Sequence, residues 1–136
     1  MTGLDLANAA RGLVGAPYRL HGRDPATGLD CIGVVLAALA ACGRRVSAPS
    51  SYGLRNRFID RWLPLAQENG LADATGSLIA GDILLVRPGP AQHHLLVAIG
   101  EDRFVHAHAG LRRVVLQPGP LPWRFERRWR LASKES

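Results

Sequence analysis

The chain has 136 residues, enough for one domain with a core of its own, and 47% hydrophobic with 21% charged residues exclude a disordered or fibrous chain. A formal charge of +6, carried almost wholly by arginine, suits an anionic partner such as a nucleic acid or an acidic polymer and names neither. Two cysteines are too few for a disulfide scaffold, the apolar run around Ile32 to Cys42 is too short to span a bilayer, and Met1 to Leu13 lacks the basic start and apolar segment of a secretory signal.

Leu4 to Leu13 reads as a first helix, with Leu4, Ala7, Ala10 and Leu13 along one side and Gly12, Gly15 and Pro17 ending it. Tyr18-Arg19-Leu20-His21-Gly22 follows, then the polar, turn-forming run Arg23-Asp24-Pro25-Ala26-Thr27-Gly28. Tyr18 and His21 could line a pocket at the start of the next helix; as ordinary loop residues they would be an anchor and a surface imidazole.

The chain is organised around Gly28-Leu29-Asp30-Cys31-Ile32-Gly33-Val34-Val35. Asp30 is placed to cap a helix rich in alanine and leucine that runs towards Gly43. Cys31 falls in its first turn, where the helix dipole and free backbone N–H groups favour a thiolate. The helix is apolar nearly all round and is expected to be buried. A cysteine at the open end of such a helix fits a nucleophile and also fits a small inert hydrophobe, so the stretch alone leaves both open. Cys31 and Cys42 lie roughly 16 Å apart along a continuous helix and cannot bridge.

A third helix is predicted from Gly53 to Leu63, with Leu54, Phe58, Ile59, Trp62 and Leu63 on one stripe and Arg55, Arg57 and Arg61 on the other sides. Pro64 is expected to stop it, and Leu65 to Leu78 reads as a polar connector with room for one helical turn. From Gly81 the period changes. Ile83–Val86, His94–Ile99, Phe104–Ala107, Val114–Leu116 and Phe125–Leu131 read as strands, separated by segments rich in glycine and proline. Helices first and hairpin-linked strands later predict a single α+β domain.

Four of the five histidines fall between 93 and 108. Strand alternation separates His94 from His93 and puts His106 and His108 on one face. Thiolate chemistry needs a base that can also protonate a leaving amine, and a third group to hold that base, and imidazole suits both tasks. The expected register is an obstacle. A two-residue turn at Glu101-Asp102 sets Val97 opposite His106 and leaves His94 roughly 10 Å away along the strand, so a longer turn, a bulge or strong twist is required. His93, His94, His106, His108 and Cys31 could also offer donors to zinc, but neither a spaced cysteine pair nor a His-Glu-x-x-His helix is present. Nucleic-acid binding has the arginines in its favour and lacks finger spacing, a basic helix with a zipper, and exposed aromatic alternation. The residues favour catalysis without a cofactor or metal.

In order, Gly15-Ala16-Pro17-Tyr18-Arg19, Gly22, Gly28 to Val35, Gly81-Asp82-Ile83-Leu84, His94 to Gly100 and Phe104-Val105-His106-Ala107 closely resemble the NlpC-type peptidoglycan peptidases, papain-like cysteine peptidases of bacterial cell walls. The similarity runs from about Leu6 to Leu131 of a single domain spanning residues 1–136. Arg23 to Gly28, Ile32, and Pro122-Trp123-Arg124 through Arg130 resemble the branch found in tailed phages, prophages and gene transfer agents. The resemblance implies a papain-like fold, with the nucleophile on a central helix packed against an antiparallel sheet of about five strands. It implies Cys31 as nucleophile, His94 as general base and acid, His106 as the residue orienting His94, and Tyr18 as a pocket residue that assists the oxyanion. The implied reaction is hydrolysis of an amide in a stem peptide, of the γ-D-glutamyl-diaminopimelate type, with no cofactor or metal. Arg19, Arg23 and Asp30 flank the nucleophile as candidate substrate-binding residues, and a guanidinium fork suits a substrate carboxylate. The implied partners are the stem peptide and phage-like tail proteins, without nucleic acid or membrane insertion. The protein would be made in the cytoplasm and carried to the wall in a virion or gene transfer agent particle. A non-catalytic tail or assembly protein with the same fold is the alternative, and a thiol acyltransferase or thioesterase a further one. Ile32 stands where many wall enzymes have serine, and His21 where the first glycine of a Gly-Gly pair is usual. One extra residue separates Tyr18 from Cys31, and the aromatic expected near Ala98 is missing.

Overall fold

The computed structural model describes residues 1–44, 46, 58–89, 92–100 and 102–132. Helix α1 (Gly3–Arg11) opens with a reciprocal cap, in which the Thr2 hydroxyl takes the Asp5 N–H and the Asp5 carboxylate takes the Thr2 N–H. Its buried face, Leu6, Ala7 and Ala10, packs on α2 (Cys31–Ala41). The polar run before α2 folds into a small antiparallel hairpin, β1 (Arg23–Asp24) against β2 (Gly28–Leu29). Helix α2 is buried along Ile32 to Leu36 and again at Ala38 and Leu39, as its all-round apolarity predicts. None of the helices among the described residues is long and apolar enough to cross a membrane.

Helix α3 (Phe58–Glu68) corrects the expected boundary, because it runs through Pro64. An internal proline costs about 3 kcal/mol, but each buried large apolar side chain returns roughly 1.5–3 kcal/mol, and Trp62, Leu65 and Ala66 are all buried around it. The expected start at Gly53, with Leu54, Arg55 and Arg57, lies outside the described residues, as do the side chains of Phe58 and Ile59. The connector expected after Pro64 holds the end of α3 and then strand β3 (Leu71–Asp73).

Strands β4 (Ile83–Gly89), β5 (Gln92–Gly100), β6 (Arg103–His108), β7 (Arg113–Pro118) and β8 (Phe125–Leu131) follow. With β3 they form a six-stranded antiparallel sheet in the order β3-β8-β4-β5-β6-β7. The sixth strand, β3, is a short edge with one buried residue, too brief to show alternation. Both faces of the sheet centre are covered. Ile83, Leu85, Leu95, Val97, Val105 and Ala107 join the core on the helix side. Leu84, Val86, Leu96, Ala98 and Phe104 lie beneath Leu121 and Trp123 on the other. Two-sided burial explains why these strands read as unbroken apolar runs.

The Gly81-Asp82 element ties the sheet together. Asp82 is fully buried and receives Arg128 Nη1 at 3.1 Å and Arg130 Nε at 2.7 Å. A buried carboxylate needs such partners, so part of the arginine excess is bound inward and is not offered to a polymer.

Candidate active site

The loop before α2 is packed against the helix start by missing side chains. A Cβ on Gly33 would run into the Gly22 carbonyl oxygen, and one on Gly22 into the Gly28 carbonyl. The glycine two places after Cys31 is therefore a packing requirement. Asp30 fastens the same contact. Its Oδ1 caps the helix through the Gly33 N–H at 2.8 Å and receives Arg23 Nη1 at 2.8 Å, while Oδ2 takes the His21 N–H at 2.8 Å. His21 sits at φ 63, the left-handed region that favours glycine, which accounts for the usual residue at that place.

The histidines reach each other through a register shift. In the β5–β6 hairpin Gly100 pairs with Arg103, but Ala98 pairs with Phe104 and Val97 with Val105, so Ile99 is an extra residue on β5. Gly100 supplies the positive φ, +91°, that such a bulge uses. Val97 therefore does not fall opposite His106, which corrects the expected pairing. The ladder is slipped by one place, and a one-place slip changes the face on which a side chain lies. His94 and His106 thereby share the face that carries Trp123, with His94 Nε2 and His106 Nδ1 2.8 Å apart. His106 Nε2 lies 2.8 Å from Gln117 Oε1 on β7. The paired residues of β5 and β6 end at Val97 and Val105, while β5 continues back to Gln92 and β6 on to His108. Cys31 is hydrogen-bonded to the backbone of Leu95, the residue after His94.

Cys31, His94, His106, Tyr18, Asp30 and Trp123 line one cavity of about 520 Å³, together with His21, His93, His108 and Arg61. Burial and then the Asp30 carboxylate push the Cys31 thiol up to about 12. This corrects the expectation of a thiolate, since those two effects outweigh the backbone donors at the helix start. Burial, then the neighbouring His106 and His108, pull His94 down to about 3, and burial also lowers His106. Burial, then Asp30 and Cys31, raise the Tyr18 phenol. These shifts favour a neutral thiol and a neutral imidazole in the same cavity, a proton donor and an acceptor.

The remaining candidates fall differently. Arg19 is exposed and Arg23 is held by Asp30 and the Gly22 carbonyl, and neither lines the cavity. Arg23 thus serves the loop, and Asp30 is engaged by three donors. His108 Nδ1 takes the Leu111 N–H at 3.0 Å in the β6–β7 turn. Cys42 lies at the far end of α2 with its thiol 3.5 Å from the Asp5 carbonyl. Among the described residues no group of three or more His, Cys, Asp or Glu side chains is arranged to hold a metal ion. Sequence reasoning missed Gln117, Trp123 and Arg61 as members or neighbours of the site. Gln117 had one visible signal, a polar residue in the run Val114 to Leu116 and beyond.

A cysteine that opens a buried helix, set against a histidine on an antiparallel sheet, is the papain-like arrangement, and the α+β fold is of that class. The sequence profile of the NlpC/P60 family matches residues 15–120, and the chain belongs to that family. Comparison with curated proteins finds no match. Among solved structures, NlpC1 from Trichomonas vaginalis is similar at 21% identity and TM-score 0.71, over 97% of this chain and 45% of that one. An NlpC/P60 family protein from Bacillus cereus is similar at 22% identity and TM-score 0.69, over 98% and 41%. The NlpC/p60 domain of the peptidoglycan hydrolase SagA is similar at 22% identity and TM-score 0.59, over 87% and 90%. The chain thus spans under half the length of the Trichomonas and Bacillus proteins.

Proposed function

We propose that the protein is a cysteine peptidase that hydrolyses an amide bond in the stem peptide of peptidoglycan. The observation that carries this reading is the meeting of Cys31 with the His94–His106 pair in one cavity. Membership of the NlpC/P60 family supports it, as does likeness to a domain of a peptidoglycan hydrolase. Cys31 is the nucleophile. His94 takes the thiol proton as Sγ attacks the scissile carbonyl, the C–N bond breaks, and His94 returns the proton to the leaving amine. Water, deprotonated by the same imidazole, then cleaves the thioester and frees Cys31. His106 holds the His94 ring. The backbone N–H groups that open α2, with Tyr18 beside them, face the developing oxyanion. Among the described residues Arg61 lines the cavity, whereas Arg19 and Arg23 do not.

The bond is of the γ-D-glutamyl-diaminopimelate type, and residues 1–136 act as one catalytic domain. The likeness of Arg23–Gly28 and Pro122–Arg130 to the phage and gene transfer agent branch supports a place in a tail, reached from the cytoplasm by particle assembly. The test is incubation of the protein and its Cys31→Ala variant with purified peptidoglycan and isolated stem peptides, with products identified by mass spectrometry. A new free amine at one stem-peptide bond, absent with Cys31→Ala, is the expected result. No product from folded, reduced protein would favour a non-catalytic tail component.

A further inference from the structure

We infer that Gln117 decides which nitrogen of His94 carries the proton, and so acts as a positioning residue for the transfer from Cys31. The inference rests on the reading of Cys31 and His94 as nucleophile and base. Gln117 pairs with Phe104 and His106 with Val115, so Gln117 and His106 are diagonal neighbours on one face of the β6–β7 pair. Gln117 Oε1 lies 2.8 Å from His106 Nε2. Gln117 is half-buried and does not line the cavity that holds Cys31, so it stands behind His106 and away from substrate.

Two hydrogen bonds in series leave only two consistent proton arrangements. A neutral imidazole has one N–H and one acceptor nitrogen. The amide oxygen of Gln117 can only accept. His106 Nε2 therefore donates to it, and His106 Nδ1 is the acceptor. His94 Nε2 must then donate across the 2.8 Å contact to His106 Nδ1, which leaves the lone pair of His94 on Nδ1. That is the nitrogen free of His106 and able to take the Cys31 proton. With the Gln117 amide turned over, its NH₂ would donate to His106 Nε2, His106 Nδ1 would donate to His94 Nε2, and His94 would present an N–H at Nδ1. No proton could then leave Cys31 for His94. In the first arrangement the transfer breaks the S–H bond and forms Nδ1–H, and the Nε2–H of the resulting imidazolium still meets an acceptor. The burial that keeps both rings uncharged at neutral pH makes this two-state logic apply.

Nitrogen-15 NMR of histidine-labelled protein, which needs no turnover, reads the tautomers directly. In the parent protein His94 and His106 are expected as Nε2–H tautomers. Gln117→Leu, of similar size but without an acceptor, is expected to convert His106 and His94 to mixtures, whereas Gln117→Glu keeps the acceptor and the parent tautomers. Kinetically, Gln117→Leu is expected to lower kcat by about tenfold, the weight of one ordinary hydrogen bond, with KM unchanged, and Gln117→Glu to restore it. An Nδ1–H tautomer at His94 in the parent, or ring shifts indifferent to Gln117→Leu, overturns the inference. Should the tautomers respond as stated while no stem-peptide bond is cut, the peptidase reading falls and the assignment of Gln117 stands.

Discussion

His94 Nε2 lies 2.8 Å from His106 Nδ1 across a hairpin whose simplest register would have set the two side chains on opposite faces of the sheet. Ile99, the extra residue on β5, moves every position before it by one place relative to β6. The contact between His94 and His106 depends on that bulge as much as on the identities of the two residues. The Gly100 conformation that permits it is part of the site in the same sense.

Cys31→Ala is expected to abolish stem-peptide hydrolysis, and Cys42→Ala to leave it within about twofold, as surface changes far from a site do. Cys31 opens α2 into the cavity, whereas Cys42 caps its other end against the Asp5 carbonyl. Rate measurement on both variants decides, and a dead Cys42→Ala protein would reassign the nucleophile.

Replacing His94 by alanine is expected to lower kcat/KM by roughly 10²–10⁴-fold, the usual weight of a general acid–base group. His106→Ala removes a positioning group and is expected to cost less, while His93→Ala and His108→Ala keep most activity. His108 is engaged by the Leu111 amide in a turn, and His93 lies near Glu126 at 3.7 Å. Full activity of His94→Ala would remove the base from the scheme.

Acid is expected to destabilise the fold through the buried histidines. His94 and His106 have folded pKa values below the ordinary 6.5, so between that value and the folded one the unfolded chain binds more protons. Their contribution is complete above about pH 6.5 and is lost as pH falls towards the folded value of about 3 for His94. Thermal melts between pH 7 and 4 should show a smaller drop in Tm for His94→Gln than for the parent. An identical drop would mean that other groups carry the acid sensitivity.

Gly33→Ala separates packing from helix propensity. Alanine is the better helix former by about 1 kcal/mol, so propensity alone predicts a gain. The added Cβ meets the Gly22 carbonyl, and overpacking of that kind costs typically about 1–3 kcal/mol. A net loss of stability in denaturant titration is expected, with reduced activity as the loop carrying Asp30 and Tyr18 is pushed off the helix. A stabilised variant would refute the packing account.

Hydrolysis is expected to survive exhaustive chelation, because the chemistry assigned to Cys31 and His94 needs no metal. Activity before and after chelator treatment, with metal content measured alongside, is the check. Zinc in stoichiometric amount, lost together with activity, would replace the thiol mechanism by a metal-assisted one.

Local chemistry made much of the molecule legible in the amino-acid order. Asp30, Cys31 and the alanine- and leucine-rich run specify a capped, buried helix because capping and apolarity act within a few residues. Strands β4 to β7 were visible as apolar stretches between turn residues, β8 only as the arginine-rich segment left to close the sheet, and the order of motifs from Gly15 to Ala107 pointed to the family that includes this chain. Tertiary structure alone decided the rest. Pro64 sits inside a helix because Trp62, Leu65 and Ala66 are buried around it. Burial, reinforced by Asp30, pushes the Cys31 thiol up to about 12 against the pull of the helix start. The bulge at Ile99 and the reach of Gln117 to His106 are relations between strands. Strand register and burial depend on groups distant in the chain, and no window of local sequence contains them.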